Sequence, residues 1–342
     1  MGSIAGCSAV GGPAGGGFTA GIPCGSVGSP GPIGFDIHDR LSPMPRNPAT
    51  ATRLIVVACL LFALSACSGA TADRGRELGV PGGPDIEAPA DPQEACRITD
   101  PRLDELSGLA ASTQHPGILW THNDSGDSAR IFALDALTCE VRAEVRLAGV
   151  STRDTEAISV GKDADSQPVL WLGDVGDNAA TNSSVRLYRF GEPAQIKDQT
   201  IKVQATITVK YFDEPYNAEA MLVQPSAAGR IWIVTKRGSK QGAYYELPKS
   251  VWGGSKTVTL RPTGSVPAMT TDATFAPDGR TYAIRTYFGG TQFQGVPPGE
   301  DPADLDIGFR GQGEGLTYSY DSRFLYAVSE GADNPLLMIP LP

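Results

Sequence analysis

Residues 156–160, Glu-Ala-Ile-Ser-Val, and after a polar turn residues 169–174, Val-Leu-Trp-Leu-Gly-Asp, carry the pattern that decides the fold. An acid opens a short run of small and apolar residues, a turn follows, and a second apolar run centres on an aromatic residue. The unit recurs five times. Its acids are Glu105, Glu156, Glu219, Asp272 and Glu314, and its aromatic partners are Trp120, Trp171, Trp232, Tyr282 and Tyr326. Acid and aromatic stand 15, 15, 13, 10 and 12 residues apart, and successive acids 51, 63, 53 and 42 apart. The runs have the length of strands, and no longer stretch keeps a 3.6-residue apolar period.

Turn signals separate the two halves of the unit, as in His115-Pro116-Gly117 and Pro277-Asp278-Gly279. More β-rich sequence follows each pair, such as residues 131–134 and 185–188, and residues 200–211 alternate Ile, Val and Thr as an outer strand would. Four strands in about 40–60 residues is the spacing of a propeller blade. The expected fold is therefore all-β, a single β-propeller of five four-stranded blades over residues 96–342. The last unit ends one strand short. Cys96-Arg97-Ile98-Thr99, just before the first unit, is placed to fill that outer position and remove an unpaired edge. The alternative is a six-bladed ring with a divergent blade in the Gly- and Pro-rich residues 286–312.

Upstream of the repeats the chain reads as an export and anchoring region. Residues 54–64 are an uncharged apolar run preceded by Arg46 and Arg53 and closed by Leu64-Ser65-Ala66-Cys67. As a helix this run would be about 17 Å long, short of the roughly 30 Å of a bilayer core, so it fits a signal peptide better than a membrane span. The ending resembles a bacterial lipobox, which implies a signal peptide over 44–66 and lipid attachment at Cys67. Residues 1–43 are then a disordered extension or a misassigned start. Residues 67–95, rich in Pro, Gly and Ala, are expected to be a flexible tether of roughly 30 Å root-mean-square span. Cys96 and Cys139 remain beyond the leader, either a disulfide in an oxidising compartment or two buried thiols.

The net charge of −10 argues against nucleic acid as a partner, since phosphate binding needs a basic surface. The expected partner is a small molecule or an extracytoplasmic protein, met by a monomer that touches the membrane through its lipid alone.

In a propeller the first strand of each blade lines the channel, so its start lies level with the end of the second strand. The five acids should therefore meet Asn123, Asp124, Asp174, Lys236, Arg285 and Glu330 at one mouth. Two turns there, Asp124-Ser125-Gly126-Asp127 and Asp174-Val175-Gly176-Asp177, each offer paired carboxylates of the kind that bind hard cations. A cation held by Glu105, Asp124, Glu156 and Asp174 is one expectation, with Asn123, Glu219, Lys236, Asp272, Arg285, Glu314 and Glu330 facing a ligand. The other is structural: turn residues, strand caps and ion pairs with Lys236 and Arg285. No G-x-S-x-G elbow or phosphate-binding Gly-rich loop is present. His122, beside Asn123, is either a general base or a buried structural histidine.

The stretches SGLA (107–110), THNDSGD (121–127), GDVGDN (173–178) and EGLTY (314–318) resemble those of secreted bacterial propellers of the phytase-like and calcium-dependent lactonase type. They resemble still more a set of actinobacterial lipoprotein propellers. The resemblance spans about residues 96–342. It implies a metal, usually Ca²⁺, held at a channel mouth by carboxylate and Asn oxygens, although those relatives usually have six blades. Two functions follow: a module that binds a ligand at one channel face, or a metal-assisted hydrolase of a phosphoester or lactone. Without a complete catalytic signature, the binding module is the first expectation.

Overall fold

Five antiparallel sheets, each begun by one repeated unit, make up the part of the chain described by the computed structural model: Pro84, residues 86–308 and residues 311–342. Cys67 and the apolar run before it lie outside the described residues. After β1 (Gln93–Ile98), blade one comprises β2 (Leu106–Ala111), β3 (Ile118–Asn123), β4 (Arg130–Asp135) and β5 (Val141–Ala148). Blade two holds β6 (Thr155–Lys162), β7 (Pro168–Asp174) and β8 (Val185–Gly191). Then β9 (Gln199–Lys202) strays to run parallel beside β5, and β10 (Ala205–Tyr211) returns as the outer strand.

Blade three repeats that detour. It has β11 (Ala218–Val223), β12 (Ile231–Thr235) and β13 (Gly242–Glu246), then β14 (Lys256–Leu260) parallel to β10, and β15 (Pro262–Val266) as its own outer strand. Blade four is β16 (Thr270–Phe275), β17 (Thr281–Thr286), β18 (Gly289–Gln294) and β19 (Glu300–Leu305). Residues 286–312 thus supply that blade's two outer strands, and the described residues form five blades with no sixth. Blade five is β20 (Gly313–Tyr318), β21 (Phe324–Ser329) and β22 (Asn334–Pro340), completed by β1. The inner strands neighbour one another in the order β2, β6, β11, β16, β20 and back to β2, which closes the ring.

The core is divided in the same way, with one apolar cluster between each pair of adjacent blades. Trp120, Trp171 and Trp232 are fully buried, each on the side of its blade that faces the next. A disulfide joins Cys96 of β1 to Cys139 in the turn between β4 and β5, tying the closing strand to blade one. The described residues include a segment ahead of β1. Ile86 packs against the cluster between blades five and one, and its carbonyl accepts from Arg323 Nη2 at 2.6 Å.

Candidate functional site

Each inner strand begins with one residue too many for its partner, and that irregularity decides which side chains reach the channel. Leu106 pairs with Asn123 but Gly108 with His122, which leaves Ser107 extra. By the same count Glu156, Glu219 and Thr271 are extra in β6, β11 and β16. In β20 the shift falls between Gly313 and Leu316, where Glu314 lies. A bulge kinks the strand and re-aims the added side chain. Ser107, Glu156, Glu219, Thr271 and Glu314 therefore occupy equivalent places, one per blade, and all are buried. The residues just past the ends of the second strands form a second ring, Asp124, Val175, Lys236, Tyr287 and Glu330, of which Val175 is buried in the core between blades two and three.

Contacts among these residues run both within and between blades. Ser107 Oγ donates to Glu156 Oε2 at 2.9 Å. Lys236 Nζ lies 3.1 Å from Glu219 Oε1 and donates to Tyr287 Oη at 2.6 Å. Asn217 Nδ2 donates to Glu219 Oε1 at 2.7 Å. Two residues before Glu156, just ahead of β6, stands Asp154. Oxygen atoms of Asp124, Asp154 and Glu156 all lie within 4.8 Å of one another.

Carboxylates so close and so dry resist ionisation. Burial first, then the hydrogen bond and charge of Asp124, pushes Asp154 up to about 7. Burial, with Glu219, Asp124 and Asp154 behind it, pushes Glu156 up to about 11. Burial and the neighbouring Glu219 raise Glu314 to about 8, and its Oε2 is buried without a partner. Burial works against the Lys236 ammonium, but Glu219 and Tyr287 outweigh it and hold its pKa above the usual value. Among the described residues, the Lys236 ammonium stands among six carboxyl groups: Asp124, Asp154, Glu156, Glu219, Glu314 and Glu330.

The three carboxylates fit a cation. Ca²⁺ binds oxygen at about 2.3–2.6 Å, so oxygens on opposite sides of it are roughly 5 Å apart, and a set within 4.8 Å can share one ion. Asp124, Asp154 and Glu156 could hold a metal ion. With six to eight oxygens the usual complement, half or more of the coordination sphere would remain for water or a ligand.

Of the four metal ligands expected from sequence, the structure brings Asp124 and Glu156 together and leaves two aside. Glu105 is exposed and lies two residues before Ser107, the place Asp154 takes in blade two. Asp174 is buried, but its Oδ1 accepts from the Arg153 and Asp154 amides at 2.8 and 2.9 Å, so it shapes the loop that carries Asp154. The D-x-G-D turns do not present paired carboxylates to one ion. Asp127 binds Arg130 and Asn123, and Asp177 accepts from the Thr181 and Asn182 amides.

Among the ligand-facing candidates, Glu219, Lys236, Glu314 and Glu330 belong to the rings, while three do not. Asp272, one residue past Thr271, is buried and accepts from the Ala273 and Leu316 amides, each at 2.7 Å. Arg285, two residues short of Tyr287, reaches into blade five and donates to the Gly315 and Val328 carbonyls. Asn123 Nδ2 is held by the Arg102 carbonyl at 2.6 Å. His122 is buried inside blade one and its pKa is lowered by that burial, a setting that suits a structural histidine.

The sequence reading missed Asp154, Ser107 and Tyr287. Asp154 had a signal, since Glu105, Asp154, Asn217 and Gln312 are polar residues two places before the bulge in four of the blades. Ser107 and Tyr287 had none, because neither is an acid.

No protein-family model matches the sequence, and none of the curated proteins matches it. Among solved structures the chain is similar to a gluconolactonase from Xanthomonas campestris, at 15% identity and a TM-score of 0.40 over 77% of this chain and 99% of that one. It is also similar to hydrazine synthase from Kuenenia stuttgartiensis, at 15% identity and a TM-score of 0.37 over 66% and 74%. Likeness at this level carries neither activity to this chain, and the propeller assignment rests on the closed ring of inner strands.

Proposed function

We propose that this protein is an exported, lipid-anchored propeller that binds a ligand at the carboxylate-lined mouth of its channel by way of a bound Ca²⁺. The observation that carries the reading is the meeting of Asp124, Asp154 and Glu156 within 4.8 Å. Protons or a cation must offset that much negative charge, and at neutral pH a divalent cation does so with three oxygens already in place. Its remaining positions are where ligand oxygens would bind. Export through Cys67 is supported by the lipobox-like ending and by the Cys96–Cys139 disulfide, which suits an oxidising compartment.

The test is thermal melting after chelator treatment, with Ca²⁺ or Mg²⁺ added back. An ion that binds the folded state alone stabilises it by about 2.7 kcal/mol at a hundred times its Kd. In a domain of this size that is roughly 5–10 °C. Asp154→Asn should abolish most of the shift. A wild type indifferent to Ca²⁺, or a variant that keeps the full shift, removes this reading.

A second reading, a metal-assisted hydrolase of a phosphoester or lactone, draws on the Lys236–Tyr287 pair. This cationic group and phenol stand in the same rings and suit a substrate with developing negative charge. Calcium-dependent turnover of generic phosphoester or lactone substrates, lost in Lys236→Met, would select it over simple binding.

A further inference from the structure

At the opposite end of the channel the chemistry reverses. The inner strands that begin at the acidic rings end around a cavity of about 470 Å³, within the range of roughly 300–1,000 Å³ seen for drug-sized ligand sites. Ile158, Val160, Val223 and Phe275 wall it, and each of these lies at or beyond the middle of its strand. Ile158 is two residues from Glu156, so the cavity starts about 7 Å from the carboxylates at the usual strand rise. Between the two, the buried Asp272 carboxylate bridges β16 to β20 through the Leu316 amide. In a chain of net charge −10, no carboxylate lines this cavity, and its one charged lining residue, Lys162, is exposed.

Three of the lining hydroxyls keep bonding capacity to spare, while Ser112 and Thr113 are already tied to the Glu192 carboxylate. Ser159 Oγ donates to the Met221 carbonyl at 2.6 Å and keeps its lone pairs. Thr317 Oγ1 accepts from the Ala111 amide at 3.0 Å, and its proton finds only a long contact, 3.5 Å, to the Tyr318 carbonyl. Ser322 Oγ is buried and has no partner. A buried hydroxyl without a partner costs free energy that an incoming acceptor or donor relieves.

We propose that this cavity is a second binding site, for an uncharged, mostly apolar small molecule carrying at least one hydrogen-bonding group. Apolar walls contributed by separate blades bury its body, and the free hydroxyls fix its orientation. An anionic ligand finds no buried cation in the lining, and the carboxylate behind the wall, Glu192, is already engaged by the Ser112 and Thr113 hydroxyls and the Trp120 indole. The site is independent of the metal reading, because it shares no residue with the acidic rings.

The neutral fluorophore N-phenyl-1-naphthylamine serves as the probe, titrated into the full chain with fluorescence and melting temperature recorded. One saturable site is expected, with a rise in melting temperature, and with the same affinity in Ca²⁺ and in chelator. Thr274→Trp and Val160→Phe, which fill the cavity from different blades, should each weaken binding by at least about tenfold. Circular dichroism identifies a variant that does not fold, and the other then decides. Failure of the wild type to bind saturably overturns the proposal, as does unchanged affinity in the folded variants or affinity that follows Ca²⁺.

Discussion

Gly126 and Gly176 hold the same place in two turns of like sequence and are glycine for different reasons. Gly126 has φ +84°, a left-handed conformation that costs other residues about 1–2 kcal/mol, and open space around it. Gly176 does not share that conformation, but a Cβ there would stand 2.3 Å from the Asp154 carboxylate. Gly126→Ala should lower the melting temperature by a few degrees at every Ca²⁺ concentration, because about 1 kcal/mol is worth roughly 2–4 °C here. Gly176→Ala should instead push Asp154 away and weaken the response to Ca²⁺ at least about tenfold. Parallel calcium titrations followed by melting separate the two. Glu314 makes a pH prediction. Its pKa is about 8 in the fold against 4.5 for the free group, so between those values the folded chain holds a proton that the unfolded chain has lost. Stability is therefore full below about pH 4.5 and falls as pH rises toward 8. In chelator, the melting temperature should drop across this range, and Glu314→Gln should make the drop shallower. An identical slope in the variant would count against the burial argument.

Blade four shows how an element can be recognised and still be misaligned. In the other four blades the central aromatic stands opposite the residue three beyond the bulge: Ala110, Ser159, Leu222 and Thr317. Tyr282 stands opposite Phe275, four beyond Thr271, and so packs back toward blade three. Asp272 is displaced by the same single residue. One step along a strand exchanges its faces, which is why the acid of this blade turns inward to backbone amides and Thr271 takes the ring position. The closing element, β1, makes a separate prediction. Its disulfide spans 43 residues and links it to the neighbouring blade. On the chain-entropy estimate a loop of that length is worth about 4 kcal/mol. Cys96→Ser, or reduction of the wild type, should lower the melting temperature by on the order of 10 °C. A reduced protein that melts like the oxidised one would mean that β1 is held by its pairing to β22 alone.

At the scale of the whole molecule, the ring joins sequence-distant ends and separates two chemistries along one axis. Closure by β1 pairs the edge of β22, so removing residues 93–98 exposes both that edge and the cluster in which Ile98 is buried. The truncated protein should melt far below its parent and associate through the open edge. Calorimetry with size-exclusion chromatography checks both, and a monomer melting like the parent would show that blade five does not need its fourth strand. Along the axis, the inner strands begin at carboxylates and end at hydroxyls. Their alternation and shared direction make a charged mouth and a neutral one from the same five segments.

The five-blade count, the closing strand and the Cys96–Cys139 pairing were legible in the sequence because each depends on local pattern. Strand pairs repeat at blade spacing, the last unit lacks a strand, and Cys96 and Cys139 are the two cysteines in the repeat region. Glu156 and Asp124 could be named because acids at strand starts and in turns are local signals. What the sequence left open was register. Whether an acid reaches the channel depends on a bulge of one residue, and a bulge forms through pairing with a neighbouring strand, which periodicity does not record. That is why Glu105 gave way to Ser107, why Asp272 and Arg285 turned inward, and why Asp154 and Tyr287 came into the site. The neutral cavity at the far mouth exists only once five strand ends, far apart in the chain, are brought around one axis.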